Sequence, residues 1–208
     1  MIKLVIFDLW KTLAYRKVPY STTRKILQIT NSPIPHKEFV KIFERSLQLK
    51  PWRSEYLAYA NLCQAAGLPL EPTLVTKVMN IRKAAESRTK LYSYSISLLR
   101  QLNNLGYKTA LLSNSTIFNV RVLKKKTNLL KYIDYPLFSY QVGAIKPSLI
   151  FFKALLKKTN YKPSQCLMIG DKIEDDVLAP RKLGINSILF ESYNQLKKEL
   201  INYSIIIR

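Results

Sequence analysis

Residues 2–13 read IKLVIFDLWKTL, in which a short apolar run ends at an acidic residue. The run LVIF at 4–7 is apolar and partly β-branched, which is typical of a strand that is buried on both faces of a sheet. Asp8 follows directly, at the carboxyl end of this predicted strand, where open α/β sheets bind their ligands. Because an aspartate also commonly caps a turn, Asp8 alone does not establish a functional site.

The chain after residue 88 alternates between predicted strands and predicted helices. Strands are expected at 107–112, 135–138, 166–169, 185–190 and, as a last edge strand, 204–208. Helices are expected at 95–105, 117–131, 147–158 (opened by Pro147), 175–183 and 193–201. This alternation predicts an α/β fold with a doubly wound, Rossmann-like parallel sheet, to which the strand at 4–7 also belongs.

The segment between these two parts has a helical pattern. Apolar residues recur at three-to-four spacing over 21–31, 36–49, 54–66 and 72–86, and prolines and Gly67 separate these stretches. No convincing strand pattern occurs among them. We therefore predict a core formed by residues 1–14 and 88–208, with an all-helical cap domain, residues 15–87, inserted into it.

The chain is strongly basic, with 34 Lys and Arg residues against 13 Asp and Glu residues and a formal net charge of +21. Such a field attracts anions, which include phosphorylated metabolites, nucleic acid and acidic membranes. The positive residues are spread along the chain, and the run KKK at 124–126 is too short to indicate a nucleic-acid-binding tail. We therefore interpret the charge mainly as a feature of the composition. A small anionic, phosphorylated substrate is expected from the site residues described below, with nucleic acid as a less favoured partner.

Cysteine and histidine usage narrows the chemistry. Cys63 and Cys166 lie far apart, so no disulfide framework is expected and a cytoplasmic location fits. His36 is the single histidine, which argues against a histidine-based zinc site or catalytic triad. No stretch reads as a signal peptide or membrane span, so no membrane partner is expected. No pattern indicates an oligomeric state.

Polar residues follow four segments of the predicted core, and the carboxyl ends of parallel strands meet at one edge of a sheet. They are Asp8, the pair Ser113 and Asn114, Lys146, and the acids Asp171, Asp175 and Asp176. Phosphoryl transfer through a covalent intermediate needs a carboxylate nucleophile, donors to the phosphoryl oxygens and a cation beside them. It also needs hard oxygen ligands for Mg²⁺, which the downstream acids offer together with Asp8.

Four stretches resemble the motifs of the haloacid dehalogenase-like hydrolase superfamily. They are FDLWKTL at 7–13, LLSNS at 111–115, GAIKPS at 143–148 and IGDKIEDDVLAPRKLG at 169–184. The position and helicity of the insertion resemble the helical cap of that family. The resemblance implies that Asp8 is the nucleophile, that Ser113 and Asn114 bind the transferred group, and that Lys146 stabilises it.

The resemblance also implies a Mg²⁺ site. Asp8, Asp171 and Asp176 resemble the metal-binding acids, and the backbone carbonyl of Trp10 is a further candidate ligand. The offset from Asp176 to Gly184 fits the spacing in the family, so Asp176 is preferred to Asp175.

Two positions depart from the family pattern. Trp10, which is also a candidate substrate contact, stands where family phosphatases have an aspartate that protonates the leaving oxygen and then activates water. Losing a general acid and base typically costs about 10²–10⁴-fold in rate. The dehalogenases of the family have an aromatic residue there, usually tyrosine, because a departing halide needs no proton. Lys11 replaces a glycine that is usual in the family.

Three functions are compatible with these residues. The leading one is a Mg²⁺-dependent phosphatase of a small phosphorylated metabolite. The resemblance implies that the dehalogenases work without a metal and lack a glycine-aspartate pair, whereas this sequence has that pair at Gly170-Asp171. Trp10 favours the alternative of a 2-haloacid dehalogenase, or of a binding protein that has lost turnover. Three arginines of the insertion are candidates to reach an anionic substrate, namely Arg16, Arg24 and Arg53.

Overall fold

The computed structural model describes residues 1–207. Its strands are β1 (Leu4–Phe7), β2 (Ala14–Arg16), β3 (Thr89–Leu91), β4 (Lys108–Ser113), β5 (Tyr135–Phe138), β6 (Cys166–Gly170) and β7 (Asn186–Leu189). Five of them form a parallel sheet in the order β5-β4-β1-β6-β7. The chain runs from β1 outward to β5 on one side and to β7 on the other. The strand order therefore reverses at β1, and such a reversal opens a crevice at the carboxyl ends of the strands.

The helices are α1 (Thr22–Ile29), α2 (His36–Gln48), α3 (Glu55–Ala65), α4 (Pro72–Glu86), α5 (Ser95–Asn104), α6 (Ile117–Lys126), α7 (Ser139–Val142), α8 (Leu149–Thr159), α9 (Ala179–Arg181) and α10 (Tyr193–Ile201). No helix of residues 1–207 is long and apolar enough to cross a bilayer.

Helices cover both faces of the five-stranded sheet, which explains the unbroken apolar run of β1. Val5 and Phe7 pack in one hydrophobic cluster with residues of α5, α6 and α10. Leu4 and Ile6 pack in another cluster with residues of α8. Successive side chains of a strand point to opposite faces, so all four positions are apolar and fully buried. The predicted doubly wound α/β sheet is confirmed.

Helices α1–α4 lie between β1 and β4 in the chain and share a third hydrophobic cluster, to which Phe118 of α6 also belongs. Phe39, Tyr59, Leu62 and Val78 are among its members. Local signals define their ends. The Ser21 and Ser54 side chains accept hydrogen bonds from backbone N–H groups in the first turns of α1 and α3. Gly67, just after α3, has a φ of +60°.

The prediction of an all-helical insertion is wrong at its start, because β2 extends to Arg16 and pairs antiparallel with β3. The two chain segments that join the insertion to the core therefore form a short ribbon. Strands of three residues are too short to show a periodic pattern, so neither was expected. The division into residues 1–14 and 88–208 on one side and 15–87 on the other stays a prediction.

Other predicted elements differ from the structure at their ends. Residues 205–207 form no strand, and Arg208, the last residue of that prediction, lies outside the described residues. Ile205 and Ile207 are buried while Ile206 is 71% exposed. Side chains in this segment therefore alternate between buried and exposed, as in a strand, although residues 205–207 pair with no strand of the sheet. The helix predicted over 117–131 ends at Lys126 and is followed by a 3₁₀ turn at Leu129–Tyr132.

The remaining differences lie in the segments that lead to the sheet edge. The helix expected from Pro147 begins at Leu149. The helix expected over 175–183 is a π-helical stretch, Ile173–Leu178, followed by the short α9. π-Helical turns occur frequently at functional sites, and this one carries two of the candidate acids.

Candidate active site

Lys146 joins two acidic side chains at the carboxyl edge of the sheet. Its Nζ atom donates to Oδ1 of Asp8 at 2.7 Å and to Oδ1 of Asp176 at 2.5 Å. Asp8 follows β1, Asp176 lies in the π-helical stretch after β6, and Lys146 lies in the loop before α8. All three residues are buried. The structure thus brings together three of the predicted site residues from segments that are far apart in the sequence.

Asn114 positions Lys146 through its side-chain amide. Asn114 Oδ1 accepts from the backbone N–H of Lys146 at 2.8 Å, and its Nδ2 donates to the carbonyl oxygen of Lys146 at 3.1 Å. Because one amide satisfies both backbone groups, the loop that carries the ammonium group is tied to the end of β4. Asn114 also lines the cavity described below, and its predicted contact with a transferred group stays a prediction.

Asp176 is placed by the close approach of its side chain to the backbone. Its Oδ2 accepts from the backbone N–H of Lys172 at 3.1 Å. A Cβ atom added to Gly170 would lie 2.3 Å from Cγ of Asp176, so the residue that ends β6 must be glycine for this approach. A glycine is therefore needed at position 170 to leave space for the side chain of Asp176, and not to form a turn.

Asp8, Asp171 and Asp176 form an acidic cluster, in which one carboxylate oxygen of each residue lies within 4.8 Å of the others. Burial and the charges of Asp176 and Asp171 raise the pKa of Asp8 to about 6, although Lys146 opposes this shift. Burial likewise raises the pKa of Asp171, whose ion pair with Lys11 spans 3.8 Å. Three carboxylates facing the buried ammonium of Lys146 and the exposed ammonium of Lys11 retain an excess of one negative charge. This excess and the all-oxygen donor set fit Mg²⁺.

Two residues next to the cluster behave differently from its members. Asp175 forms an ion pair with Lys172 at 3.2 Å and is not one of the three clustered acids, so the preference for Asp176 has geometric support. Lys11 has a side chain that is 78% exposed and a φ of +64°. This left-handed conformation favours glycine, which accounts for the residue type that Lys11 replaces in the family pattern.

Ser113 and Trp10 belong to a chain of hydrogen bonds centred on Ser115. The indole N–H of Trp10 donates to Ser115 Oγ at 3.0 Å, and Ser115 Oγ lies 3.0 Å from Ser113 Oγ. Ser113 is fully buried and is not among the residues that line the cavity, whereas Trp10 is. The indole N–H is therefore already committed, and the predicted contact of Ser113 with a phosphoryl group stays a prediction.

A cavity of about 530 Å³ lies over the acidic cluster. The core contributes Asp8, Trp10, Asn114, Lys146, Asp171 and Asp176 to its lining, and the inserted helices contribute Thr22, Phe43, Glu44, Gln48 and Arg82. Of the arginines considered from the sequence, Arg16 lines the cavity, whereas Arg24 and Arg53 are exposed and lie outside its lining.

Arg82 and Glu44 were not identified from the sequence. Arg82 lies on the buried face of α4, near Val75, Val78 and Ala85. A single arginine on an apolar helix face, four residues before Glu86, was a signal that its charge is used internally. Glu44 lies in the middle of α2, where the sequence pattern offered no comparable signal.

Replacing Gly170 by alanine tests the close approach of Asp176. The added Cβ must displace Asp176, so we expect Gly170→Ala to lower the free energy of unfolding by about 1–3 kcal/mol and to abolish activity that depends on the acidic cluster. Gly106→Ala is the control, because Gly106 has a φ of +85° with open space around it, so a side chain there strains the backbone far from the cluster. Urea denaturation and activity assays measure both effects. Full activity of Gly170→Ala would contradict this geometry.

Replacing Lys146 by methionine tests the ammonium bridge. Although burial alone lowers the pKa of Lys146, the charges of Asp8 and Asp176 raise it above its usual value, so Lys146 stays charged at neutral pH. Without it, the buried carboxyl of Asp8, whose pKa is raised even beside Lys146, binds its proton still more tightly in the folded than in the unfolded protein. Such groups destabilise the fold as pH rises from their unfolded pKa through their folded pKa.

We therefore expect Lys146→Met to lose about 1–3 kcal/mol more stability, relative to the wild type, at pH 8 than at pH 5. Urea denaturation in a chelating buffer at both pH values measures this, with the exposed Lys124→Met as control. An equal loss at the two pH values would show that the ammonium does not compensate buried carboxylates.

Comparison with known proteins agrees with the fold and the site motifs. A family model described as haloacid dehalogenase-like hydrolase matches residues 2–184. A relative named glyceraldehyde 3-phosphate phosphatase, from Methanothermobacter thermautotrophicus, is 22% identical over 198 residues, which are 92% of this chain and 87% of that protein.

Two solved structures show the same fold at low sequence identity. A HAD-family enzyme from Bacteroides thetaiotaomicron, in complex with magnesium and inorganic phosphate, has a TM-score of 0.69 and 20% identity over 94% of this chain and 99% of that one. A 2-haloacid dehalogenase from Pseudomonas syringae has a TM-score of 0.63 and 18% identity over 98% of this chain and all of that one. With a family match that spans residues 2–184, the chain belongs to the haloacid dehalogenase-like hydrolases.

Proposed function

We propose that the protein is a Mg²⁺-dependent phosphatase that hydrolyses a small phosphorylated metabolite through a phosphorylated Asp8. The observation that carries this proposal is the acidic cluster of Asp8, Asp171 and Asp176 beside the ammonium group of Lys146. Like charges this close are costly unless a cation is bound among them. The name of the archaeal relative, a phosphatase of a three-carbon phosphate, supports the substrate class.

Asp8, Asp171 and Asp176 would hold the metal ion, and the carbonyl oxygen of Trp10 is a further proposed ligand. When bound, Mg²⁺ supplies positive charge next to the phosphoryl oxygens as they are transferred. Lys146 contributes a second positive charge that already contacts the nucleophile. Asn114 keeps this ammonium group in place through the backbone of Lys146.

The reaction needs two displacements at phosphorus. A carboxylate oxygen of Asp8 attacks phosphorus, the bond from phosphorus to the ester oxygen breaks, and that oxygen leaves with a proton from a donor in the cavity. Water then attacks the phosphorus of the acyl phosphate and loses a proton, which releases inorganic phosphate and restores the Asp8 carboxylate. Hydrogen bonding by Lys146 holds Asp8 in one orientation for the first step.

The proton donor cannot be residue 10, because the indole of Trp10 donates its N–H to Ser115 and has no acidic proton at neutral pH. We propose Glu44 for this role. Glu44 lines the cavity from α2, and burial raises the pKa of its carboxyl, with a further rise from the charge of Asp175. Lys172, whose Nζ lies 3.8 Å from Oε1 of Glu44, and Lys146 oppose the shift. A raised pKa brings a carboxyl closer to neutral pH, where a general acid is most effective.

The aromatic side chain at position 10 also favours a second candidate, a 2-haloacid dehalogenase. Carbon–halogen hydrolysis would use the same Asp8 and would need no proton for the leaving group. Against it stands the acidic cluster, since a metal-free reaction has no use for Asp171 and Asp176 close to the nucleophile. We therefore rank the phosphatase first.

Activity of the wild type and of Asp8→Asn tests the assignment directly. We expect Mg²⁺-dependent hydrolysis of p-nitrophenyl phosphate and acetyl phosphate that a chelator abolishes. Asp8→Asn should lose at least about 10³-fold in kcat, because an amide is not a nucleophile here. Asn31→Asp, a change outside the cavity lining, serves as the matched control.

Two outcomes would overturn the phosphatase assignment. One is undiminished hydrolysis by Asp8→Asn. The other is chloride release from 2-chloropropionate that persists in a chelator, combined with no hydrolysis of phosphate esters, which would identify the dehalogenase instead.

The Glu44→Gln variant tests the proton donor through its dependence on the leaving group. An alkoxide needs a proton as it departs, whereas p-nitrophenolate is stable without one. We therefore expect kcat to fall by about 10²-fold for alkyl phosphates and to change only a few-fold for p-nitrophenyl phosphate. Glu38→Gln, at an exposed position of the same helix, is the control. Equal losses for both kinds of substrate would assign Glu44 a structural role.

A further inference from the structure

A second group of charged side chains lies where the inserted helices meet the core. Arg82 donates from Nε to Oε1 of Glu86 at 2.9 Å and from Nη1 to Oγ1 of Thr22 at 2.9 Å. The guanidinium group of Arg16 stacks on Trp10, with its Cζ atom 3.7 Å from the ring centroid. Two positive side chains thus approach each other close to the nucleophile's cavity.

These two guanidinium groups face a single carboxylate. Arg82 pairs directly with Glu86, whereas Arg16 reaches it through Asn119. In the amide orientation that satisfies both neighbours, Asn119 accepts from Nη2 of Arg16 at 3.1 Å and donates to Oε2 of Glu86 at 3.1 Å. The group therefore carries one positive charge that no anion balances among the contacts of residues 1–207.

Arg16 bears most of this imbalance. Its Nε atom is buried and has no hydrogen-bond partner among the described residues. Burial, and then the charge of Arg82, hold the pKa of Arg16 well below its usual range, although Glu86 opposes this shift. A half-buried cation with a buried donor that lacks an acceptor costs free energy, and a bound anion would recover part of it.

Both arginines line the same cavity as Asp8 and Lys146. Gln48 lines it too, and its Oε1 atom is buried without a donor among the described residues. Two residues of the cavity lining, Arg16 and Gln48, thus each have a buried hydrogen-bonding atom without a partner among the described residues, a donor in Arg16 and an acceptor in Gln48. A ligand that satisfied them would present an anionic group to Arg16 and Arg82 and a hydroxyl group to Gln48.

We propose that Arg16 and Arg82 form a subsite for a second anionic group on the substrate. This inference rests on the proposed phosphatase function. It makes the substrate a small phosphorylated compound that bears a carboxylate or a second phosphate at its other end. Planar guanidinium groups bind both kinds of anion through paired hydrogen bonds, and stacking on an aromatic ring orders them beforehand.

Trp10 has a role in this proposed subsite, because its indole contacts Arg16. An aspartate at this position could not stack beneath a guanidinium group, whereas the indole holds Arg16 on its face and directs its own N–H to Ser115. Trp10 is thus a positioning residue for the anion subsite. Trp10, the residue that departs from the family pattern, is thus the side chain that stacks on the guanidinium group of Arg16, whose charge is unbalanced.

Binding of phosphonates tests the subsite without turnover. Titration calorimetry with Mg²⁺ would compare phosphonoacetate, 3-phosphonopropionate and 4-phosphonobutyrate with methyl-terminated alkyl phosphonates of the same lengths. Propane-1,3-diylbisphosphonate replaces the carboxylate by a second phosphonate, so the series separates the two kinds of anion. We expect at least one doubly anionic ligand to bind about 10- to 100-fold more tightly than its methyl-terminated counterpart.

Arg16→Met should remove this preference while it changes the affinity for the alkyl phosphonates by no more than about three-fold. Arg16→Lys, which keeps the charge but not the planar donors, should retain part of it. Arg24→Met is the control, because Arg24 is exposed and outside the cavity lining. Circular dichroism and the melting temperature of each variant show whether it is folded.

The inference fails if no doubly anionic ligand binds more tightly than its counterpart, or if the preference survives in Arg16→Met. Its failure is distinguishable from that of the phosphatase assignment. A preference for doubly anionic ligands in a protein that hydrolyses no phosphate ester would leave the subsite and remove the assigned reaction. Hydrolysis without the preference would do the reverse.

Discussion

The rest of the site depends on one buried ammonium group, that of Lys146. It lies between the carboxylates of Asp8 and Asp176, which would otherwise face each other in a medium where unpaired charges are strongly disfavoured. The surrounding backbone is organised to keep it there. Asn114 binds the loop that carries it, and Gly170 provides the space that Asp176 needs. Lys146 thus contacts residues that follow three neighbouring strands, namely Asn114 after β4, Asp8 after β1 and Asp176 after β6.

The sheet and its polar edge were predictable because each depends on local chemistry. The apolar run of β1 indicates that the strand is buried on both faces of the sheet. Asp8 and Asp171 directly follow β1 and β6, and Lys146 lies in a loop at the same edge of the sheet. The ribbon of β2 and β3 was not predictable, because three residues carry no period and their pairing joins segments more than seventy residues apart. The π-helical stretch was not predictable either, because three-to-four spacing does not distinguish it from an α-helix.

The residues of the cavity wall were the part of the site that the sequence predicted least well. The sequence places Arg82 on an apolar helix face, but its contact with Thr22 and its position in the cavity wall follow only from the packing of α4 against α1. Glu44 acquires its interest only from burial, which a helical pattern does not report. Part of the cavity lining comes from helices that pack against the core through tertiary contacts, so spacing along the chain does not reveal it.

The residue at position 10 bears on two parts of the proposed site, the source of the proton and the position of Arg16. A tryptophan there gives up the proton that an aspartate would carry, and in return it orders Arg16 by stacking. In the proposed phosphatase mechanism, the proton would come from another wall of the cavity, where Glu44 is a buried carboxyl with a raised pKa. The chemistry assigned to one turn in related sequences would thus be divided between the core and the inserted helices.

The most direct measurement is a crystal structure of the protein grown with Mg²⁺ and beryllium fluoride, which mimics a phosphorylated aspartate. We expect a trifluoroberyllate group on a carboxylate oxygen of Asp8, with Nζ of Lys146 within hydrogen-bonding distance of a fluoride. We also expect a cation about 2.0–2.1 Å from oxygens of Asp8 and of Asp171 or Asp176. An unmodified Asp8, or a cation bound away from these acids, would rule out the proposed site.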